Sequence, residues 1–484
     1  MAETLLWLLA GLAVFVISGQ VLLKFVYGND VFDLGAGPEV GVSFLLGLGA
    51  VSLQMFAYSL ASVPFDFPKI AGPWLLIFFA FIFSPSGKRA SPAAVKKPHG
   101  PGLRALSAVA LLIIATQTVY AFLYSPLLPV TGWDAWSNWF LKARVFFIDR
   151  AVTEGFLLDG NYSYSHPGYP LLVPLSVAWV YTSLGFVDDA LAKVIYPAQY
   201  VSMLLVFHHV IKRVFDGRNA LLFTSLLSIT PIVMAHAAGF PVAIKPLHTG
   251  DFTGYADLTL AVYFLGAGAF FYLYLNESRP VHLVVSAMFL AMGAWTRPDG
   301  MVFAAAGAVL ILIGAARRAG PLTLLKVFIL IGAFVAPWEY FKLKSGLSGE
   351  YIPLLTTQNF WGNLGRLDTI VLYMLSYMFA GVGLFNFTWW GLTVSSIINW
   401  RGIASREIVV LYALICIQLI AYALMYVLAP GDFTRNMEET LPGRLVHLVP
   451  LVMMLAAVNL NTFLYKRDIK EAEAQKAEGA EGGG

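Results

Sequence analysis

Apolar runs long enough to cross a bilayer recur along almost the whole chain, and they constrain its fold more than any motif does. A spanning helix needs about 17–25 mainly apolar residues. Such runs lie near Leu5–Val26, Val40–Ser62, Trp74–Phe83, Ala105–Tyr124, Val194–Ile211, Ala220–His236 and Leu258–Leu275. Others follow at His282–Thr296, Met301–Ala315, Leu322–Tyr340, Val382–Trp400, Ile408–Leu428 and Leu445–Leu464. Only 12% of the residues are charged, against about 25% in soluble domains. The expected fold is an all-α polytopic membrane protein with about thirteen transmembrane helices.

Basic side chains orient the set, because Lys and Arg collect on the cytoplasmic side. Lys88, Arg89, Lys96, Lys97 and Arg104 fill one Pro/Gly-rich loop. Lys212-Arg213 with Arg218, Arg317-Arg318, Arg401 with Arg406, and Lys466-Arg467 mark other turns. All fall on one side if about thirteen spans are counted. Pro170–Phe186 is also apolar, but Pro170, Pro174 and Gly185 indicate a short helix lying at, or dipping into, the outer interface. Leu367–Ala380 reads the same way.

The chain then divides into N-terminal helices and a basic loop (1–104), a core with an outer loop at 126–190 (105–345), a C-terminal outer loop and helices (346–465), and a disordered polar tail (466–484). The N-terminus has no basic stretch before its first apolar run, so that run reads as retained rather than as a signal peptide. Lone Cys416 excludes a disulfide framework or a Cys-based metal site. A net charge of +3 gives no reason to expect nucleic acid as a partner.

With this topology the unusual polar residues gather on the outer side. The most informative segment is Thr131–Arg144, which sets Asp134 among three tryptophans and two basic side chains. A carboxylate close to hydrocarbon is expensive and is a functional candidate by default. Trp133 and its neighbours suit the membrane–water boundary. If Trp133–Phe147 is helical, Asp134, Asn138 and Lys142 share a polar stripe, with Trp136, Phe140 and Phe147 on an apolar side. Asp134 can then serve as a general base, its pKa raised by desolvation and lowered by Lys142 and Arg144. The bland reading is a helix cap beside an aromatic belt.

Other candidates follow in chain order. In Tyr164–Pro170, His166 can hold a ligand, a metal or a backbone carbonyl. In His248–Asp257, two acids, Asp251 and Asp257, lie beside Gly250 and Gly254 before a span. They can bind a divalent cation or position a sugar, although Asp257 can also simply cap the next helix. Arg297 and Asp299 form an outer turn, and the planar fork of Arg297 suits phosphate. Arg444 and His447, a helical turn apart, can hold an anionic headgroup or a leaving phosphate; the plain alternative for Arg444 is an interfacial anchor.

Taken in order, these elements resemble the GT-C glycosyltransferases, the class of the protein O-mannosyltransferases and the lipid A aminoarabinose transferase. The matching pieces are Gly-Trp-Asp134-Ala-Trp, His166-Pro-Gly-Tyr169-Pro170, Gly254-Tyr-Ala-Asp257, Thr296-Arg-Pro-Asp-Gly300 and Arg444-Leu-Val-His447-Leu-Val-Pro450. The resemblance implies inverting transfer of a hexose or pentose from a polyprenyl-phosphate donor to a lipid or glycan acceptor. It implies Asp134 as base, and Asp257, with Asp251, as the group that positions donor, acceptor or a metal. Arg444, helped by Arg297 or Lys142, would hold the departing phosphate. His166, Tyr169, His248, Asp299, His447 and Trp133 would line the substrate site. A divalent cation, magnesium or manganese, would be held by Asp134 and Asp257 if one is used.

It further implies a prokaryotic inner (cell) membrane with the site on the outer, periplasmic face. Two features depart from the family. Three spans precede the one leading to Asp134, and no large soluble C-terminal domain follows. Competing classes are an O-antigen ligase or polymerase and a non-enzymatic flippase of lipid-linked sugar. A transporter should show inverted repeats and mid-membrane polar residues.

Overall fold

A chain in hydrocarbon must satisfy its own peptide groups, and here helices do almost all of that. A computed structural model describes residues 2–28, 34–82, 101–239, 242–245, 248–250, 252–315, 318–347, 349, 352–354 and 356–481. The main helices are α1 (Ala2–Tyr27), α2 (Ala36–Leu60), α3 (Phe67–Ile82), α4 (Pro101–Tyr124), α5 (Phe140–Asp149), α6 (Leu172–Leu184) and α7 (Ile195–Val214). They continue as α8 (Gly217–Ser228), α9 (Pro231–Ala238), α10 (Asp257–Glu277), α11 (Pro280–Ala294), α12 (Pro298–Ala315) and α13 (Pro321–Ser345). The last are α14 (Leu367–Ala380), α15 (Thr388–Ile398), α16 (Arg406–Leu428), α17 (Phe433–Val446) and α18 (Val449–Glu481). The helical expectation has one addition: β1 (Val242–Lys245) and β2 (His248–Gly250) pair antiparallel, with Val242 opposite Gly250.

Eight described helices are long and apolar enough to cross a membrane, or up to ten if each bent pair counts once. The bent pairs are α8 with α9, at 68°, and α17 with the first part of α18, at 50°. Both breaks have a proline cause: Pro231 opens α9, and Pro450 stands second in α18 without an N–H to continue the ladder. The run Ala220–His236, expected as one span, is therefore two helices. Three further apolar helices, α3, α6 and α11, are shorter.

The helix α6 is short, as its flanking proline and glycine predicted. At 13 residues it is about 20 Å long, less than the roughly 30 Å hydrocarbon core. All of its residues but Thr182 are buried, so it dips into the protein and does not lie on a surface. The tail differs from expectation. The helix α18 runs on through 466–481, in keeping with the Ala, Glu, Gln and Lys of Glu471–Glu478, which are strong helix formers.

The three N-terminal helices are built into the core. A Cβ on Gly19 would meet the Ser43 carbonyl, and one on Gly47 the Phe15 carbonyl, so small residues let α1 and α2 touch backbone to backbone. Trp179 Nε1 of α6 donates to the Gly11 carbonyl at 3.0 Å, and Tyr263 of α10 to Leu45 at 3.0 Å. Trp295 Nε1 donates to Ser52 Oγ at 3.0 Å. These helices brace the first large loop. Phe65 N donates to the Arg150 carbonyl at 2.7 Å, and Val152 N to Ser59 Oγ at 2.8 Å.

The long helix α10 separates two kinds of chemistry. It runs from Asp257 to Glu277, 21 residues in all, a rise of about 30 Å. At the Glu277 end, Arg213 Nη1 pairs with both carboxylate oxygens at 2.6 and 2.7 Å, and His282 Nε2 lies 3.0 Å away. Arg318 and Arg406 act on Tyr274 near the same end. Arg213, Arg318 and Arg406, from three of the expected basic turns, therefore share one end. Lys88, Arg89, Lys96, Lys97 and Arg317 lie outside the described residues.

Candidate functional site

At the other end of α10, four chain segments bring charge together in a buried cluster. Asp257 is its hub. Arg297 Nη1 donates to Asp257 Oδ1 at 2.6 Å, and His447 Nε2 to the same oxygen at 2.7 Å. His236 Nε2 stands 3.7 Å from Oδ2, within range of attraction but long for a hydrogen bond. Arg297 Nε lies 3.1 Å from Asp299 Oδ2, off the line of a good hydrogen bond, and Arg444 Nε lies 3.7 Å from Asp299 Oδ1. All six side chains are buried.

Burial works against the charge of Arg297, but Asp257 and Asp299, then Tyr169 and Asp134, outweigh it and raise its pKa above the ordinary arginine value.

Local sequence explains the arrangement. Asp257 opens α10, yet the N-cap is Ala256 with no side-chain capping bond. The capping reading of Asp257 therefore fails: its carboxylate is spent on Arg297 and His447. Arg297 sits in the turn between α11 and α12, and Asp299 in the first turn of α12. Arg444 and His447 lie at the bend between α17 and α18, not on one continuous helix as the Leu445–Leu464 run suggested. Arg444 is no surface anchor either. Its guanidinium carbon lies 4.7 Å over the Tyr426 ring, and Nη1 donates weakly to Thr440 Oγ1 at 3.4 Å. Tyr422 hydroxyl is 2.6 Å from His447 Nδ1. With Nε2–H given to Asp257, Nδ1 accepts, so Tyr422 O–H, His447 and Asp257 form a directed chain.

Asp134 stands at the start of a π turn, Ala135–Trp139, half-buried and without a capping bond. Such turns concentrate at functional sites. The π turn corrects the simple stripe. Trp136 is exposed while Phe140 is buried, because a wider turn shifts residues off the α-helical spacing. Trp133, 61% exposed, meets Trp136 edge to face at 4.9 Å; Trp139 is wholly buried.

Of the nearby cations, Arg144, two to three turns on, pairs with Asp189. Lys142 is buried and donates to Asn138 Oδ1 at 2.8 Å and to the His166 carbonyl at 2.7 Å. Lys142 thereby fixes the His166 loop, whose backbone is left-handed at φ 52°. The His166 ring stacks on Tyr169 at 4.7 Å. His248 falls in β2, and Asp251 lies outside the described residues.

Glycine joins the two acidic loops. Gly254 has φ +93°, and a Cβ there would lie 2.8 Å from Ala135 Cβ and 3.0 Å from Phe140 Cε2. Gly254→Ala is expected to cost about 1–3 kcal/mol through strain and clash. Gly155→Ala, where a Cβ meets nothing within 4 Å, should be nearly neutral. Thermal unfolding of the detergent-solubilised variants checks the contrast; equal melting points would mean the loops are not in contact.

Several cluster members escaped the sequence reading. His236, stacked on Phe252 at 4.8 Å, ends an apolar run. Tyr422, Tyr426 and Gln418, whose Nε2 donates to the Asp299 carbonyl at 3.2 Å, lie inside another. The available signal was a polar residue inside a span. Among the described residues, no group of three or more His, Cys, Asp or Glu is arranged to hold a metal ion. Asp257 Oδ1 already accepts from both Arg297 and His447. Compared with family models, curated proteins and solved structures, the chain matches none.

Proposed function

We propose that this protein is a membrane glycosyltransferase of GT-C type, moving a sugar from a polyprenyl-phosphate donor to a lipid or glycan acceptor with inversion. The observation that carries the reading is the buried Asp257–Arg297–Asp299–Arg444 cluster at one end of the bundle. Arg213, Arg318 and Arg406 at the opposite end support a cytoplasmic side there, and with it an outer-face cluster. A thirteen-span topology follows if α3, α11 and the α15 region cross as well.

In this reading Asp134 takes the proton from the acceptor hydroxyl as that oxygen bonds to the anomeric carbon. The bond from that carbon to the donor phosphate breaks, and the phosphate leaves with the electron pair. Arg444 and Arg297 supply the positive charge that stabilises the departing phosphate. Asp257 and His447 fix Arg297; Lys142 fixes His166 and Tyr169 beside it. No step runs through a metal.

The test uses purified full-length protein in nanodiscs with radiolabelled polyprenyl-phosphate sugars and an extract of membrane lipids and glycans. The proposal expects labelled acceptor and released polyprenyl phosphate in equal amounts. Movement of intact donor between leaflets without bond cleavage would replace it with a flippase.

A further inference from the structure

A second constellation lies on the rim of the same end of the bundle, outside the charge cluster. The end of α2, the segment after α5 and the last turns of α13 meet around a cleft of about 360 Å³, at the lower end of the roughly 300–1,000 Å³ usual for small-ligand sites. Its floor is apolar and rigid. Phe56, Val152 and Phe341 are buried, and Phe56 meets Phe341 edge to face at 5.7 Å. Ser59 is spent within the wall, donating to the Met55 carbonyl at 3.1 Å and accepting from Val152 N.

Two opposite charges, Glu154 and Lys344, line the same cleft. Both are exposed, and among the described residues they form no ion pair with each other. Glu154 Oε1 accepts from Ser345 Oγ at 3.0 Å, which aims the carboxylate. Lys342 does not compete, being buried and paired with Glu339 at 2.7 Å. Leu60 and Tyr340, both large, apolar and exposed, also line the cleft. The helix α13 presents exposed apolar side chains along its length and ends in Lys342 and Lys344, a pattern that sets those lysines at headgroup depth.

We infer that this cleft binds the headgroup of a zwitterionic phospholipid bearing a primary amine. Lys344 meets the phosphate, Glu154 accepts from the ammonium, and the first acyl carbons rest on the Phe56–Phe341 floor. An anionic lipid would satisfy Lys344 but set a negative charge near Glu154. A quaternary ammonium has no N–H to give the carboxylate. The bound lipid would tie α2 and α13 to the segment that continues from the Asp134-bearing helix. This inference does not depend on the transfer reaction.

The test is native mass spectrometry of the full-length protein offered phosphatidylethanolamine, phosphatidylcholine and phosphatidylglycerol in turn. Wild type should retain phosphatidylethanolamine above the other two. Glu154→Gln should lose about threefold of that preference over phosphatidylcholine, the scale of a partly exposed ion pair. Lys344→Gln should lower retention of phosphatidylethanolamine and phosphatidylglycerol together. Both positions are on the rim, so the fold is not at stake. Equal retention of all three lipids, or a preference unchanged in both variants, would overturn the inference.

Discussion

Asp134→Asn is expected to lower sugar transfer by about 10²–10⁴-fold, the usual contribution of a positioned general base. Asparagine keeps the shape of the side chain and cannot accept the acceptor's proton. The fold should survive, because Asp134 is half-exposed and makes no capping bond. Donor binding should also survive, since the phosphate is assigned to Arg444 and Arg297. The measurement is single-turnover transfer with saturating donor, beside thermal unfolding and donor binding on the same samples. Normal melting and donor binding with lost transfer is the expected pattern. Retained turnover would remove Asp134 from the role of base.

Asp257→Ala should have the largest effect on stability. Removing one partner of a buried ion pair costs about 3–5 kcal/mol, because the other charge is left buried and uncompensated. Here the stranded charge is Arg297, held 2.6 Å from Asp257. His447 loses its acceptor at the same time. The double variant Asp257→Asn with Arg297→Gln removes both charges and should be more stable than Asp257→Asn alone. A double-mutant cycle in a denaturant series measures that coupling. Additive effects would show that the two side chains do not act as a pair.

Much of this arrangement was legible in the chain for definable reasons. Asp257, Arg297, Asp299, Arg444 and His447 stand at the ends of apolar runs, where a charged residue is conspicuous. The charge pattern of the loops put them on one side, and they do meet in one cluster. Spacing could not reveal what each side chain does there. Nothing in its spacing showed that Lys142 would donate to the His166 carbonyl, 24 residues on. Asp257 looked equally like a helix cap, and only the contact with Arg297 separates the two.

The misses have physical causes as well. His236, Tyr422 and Tyr426 sit within apolar runs and read as core until a proline bend or a facing helix brings them to Asp257 and Arg444. Lys193 is buried with its ammonium on the Leu128 carbonyl at 2.6 Å, a tertiary contact with no local signature. The π turn after Asp134 packs against Gly254, which lies more than a hundred residues away. Run lengths also blur short buried helices such as α6 with true spans, since both are apolar throughout.

The central claim is that the charge cluster receives a lipid-linked phosphate. A cryo-EM structure of the full-length protein with a polyprenyl-phosphate analogue tests it most directly. The account predicts phosphate density within hydrogen-bonding distance of Arg444, near Arg297, with a cavity leading from it to Asp134. A headgroup bound elsewhere, or a central cavity open to both sides of the membrane, would contradict it.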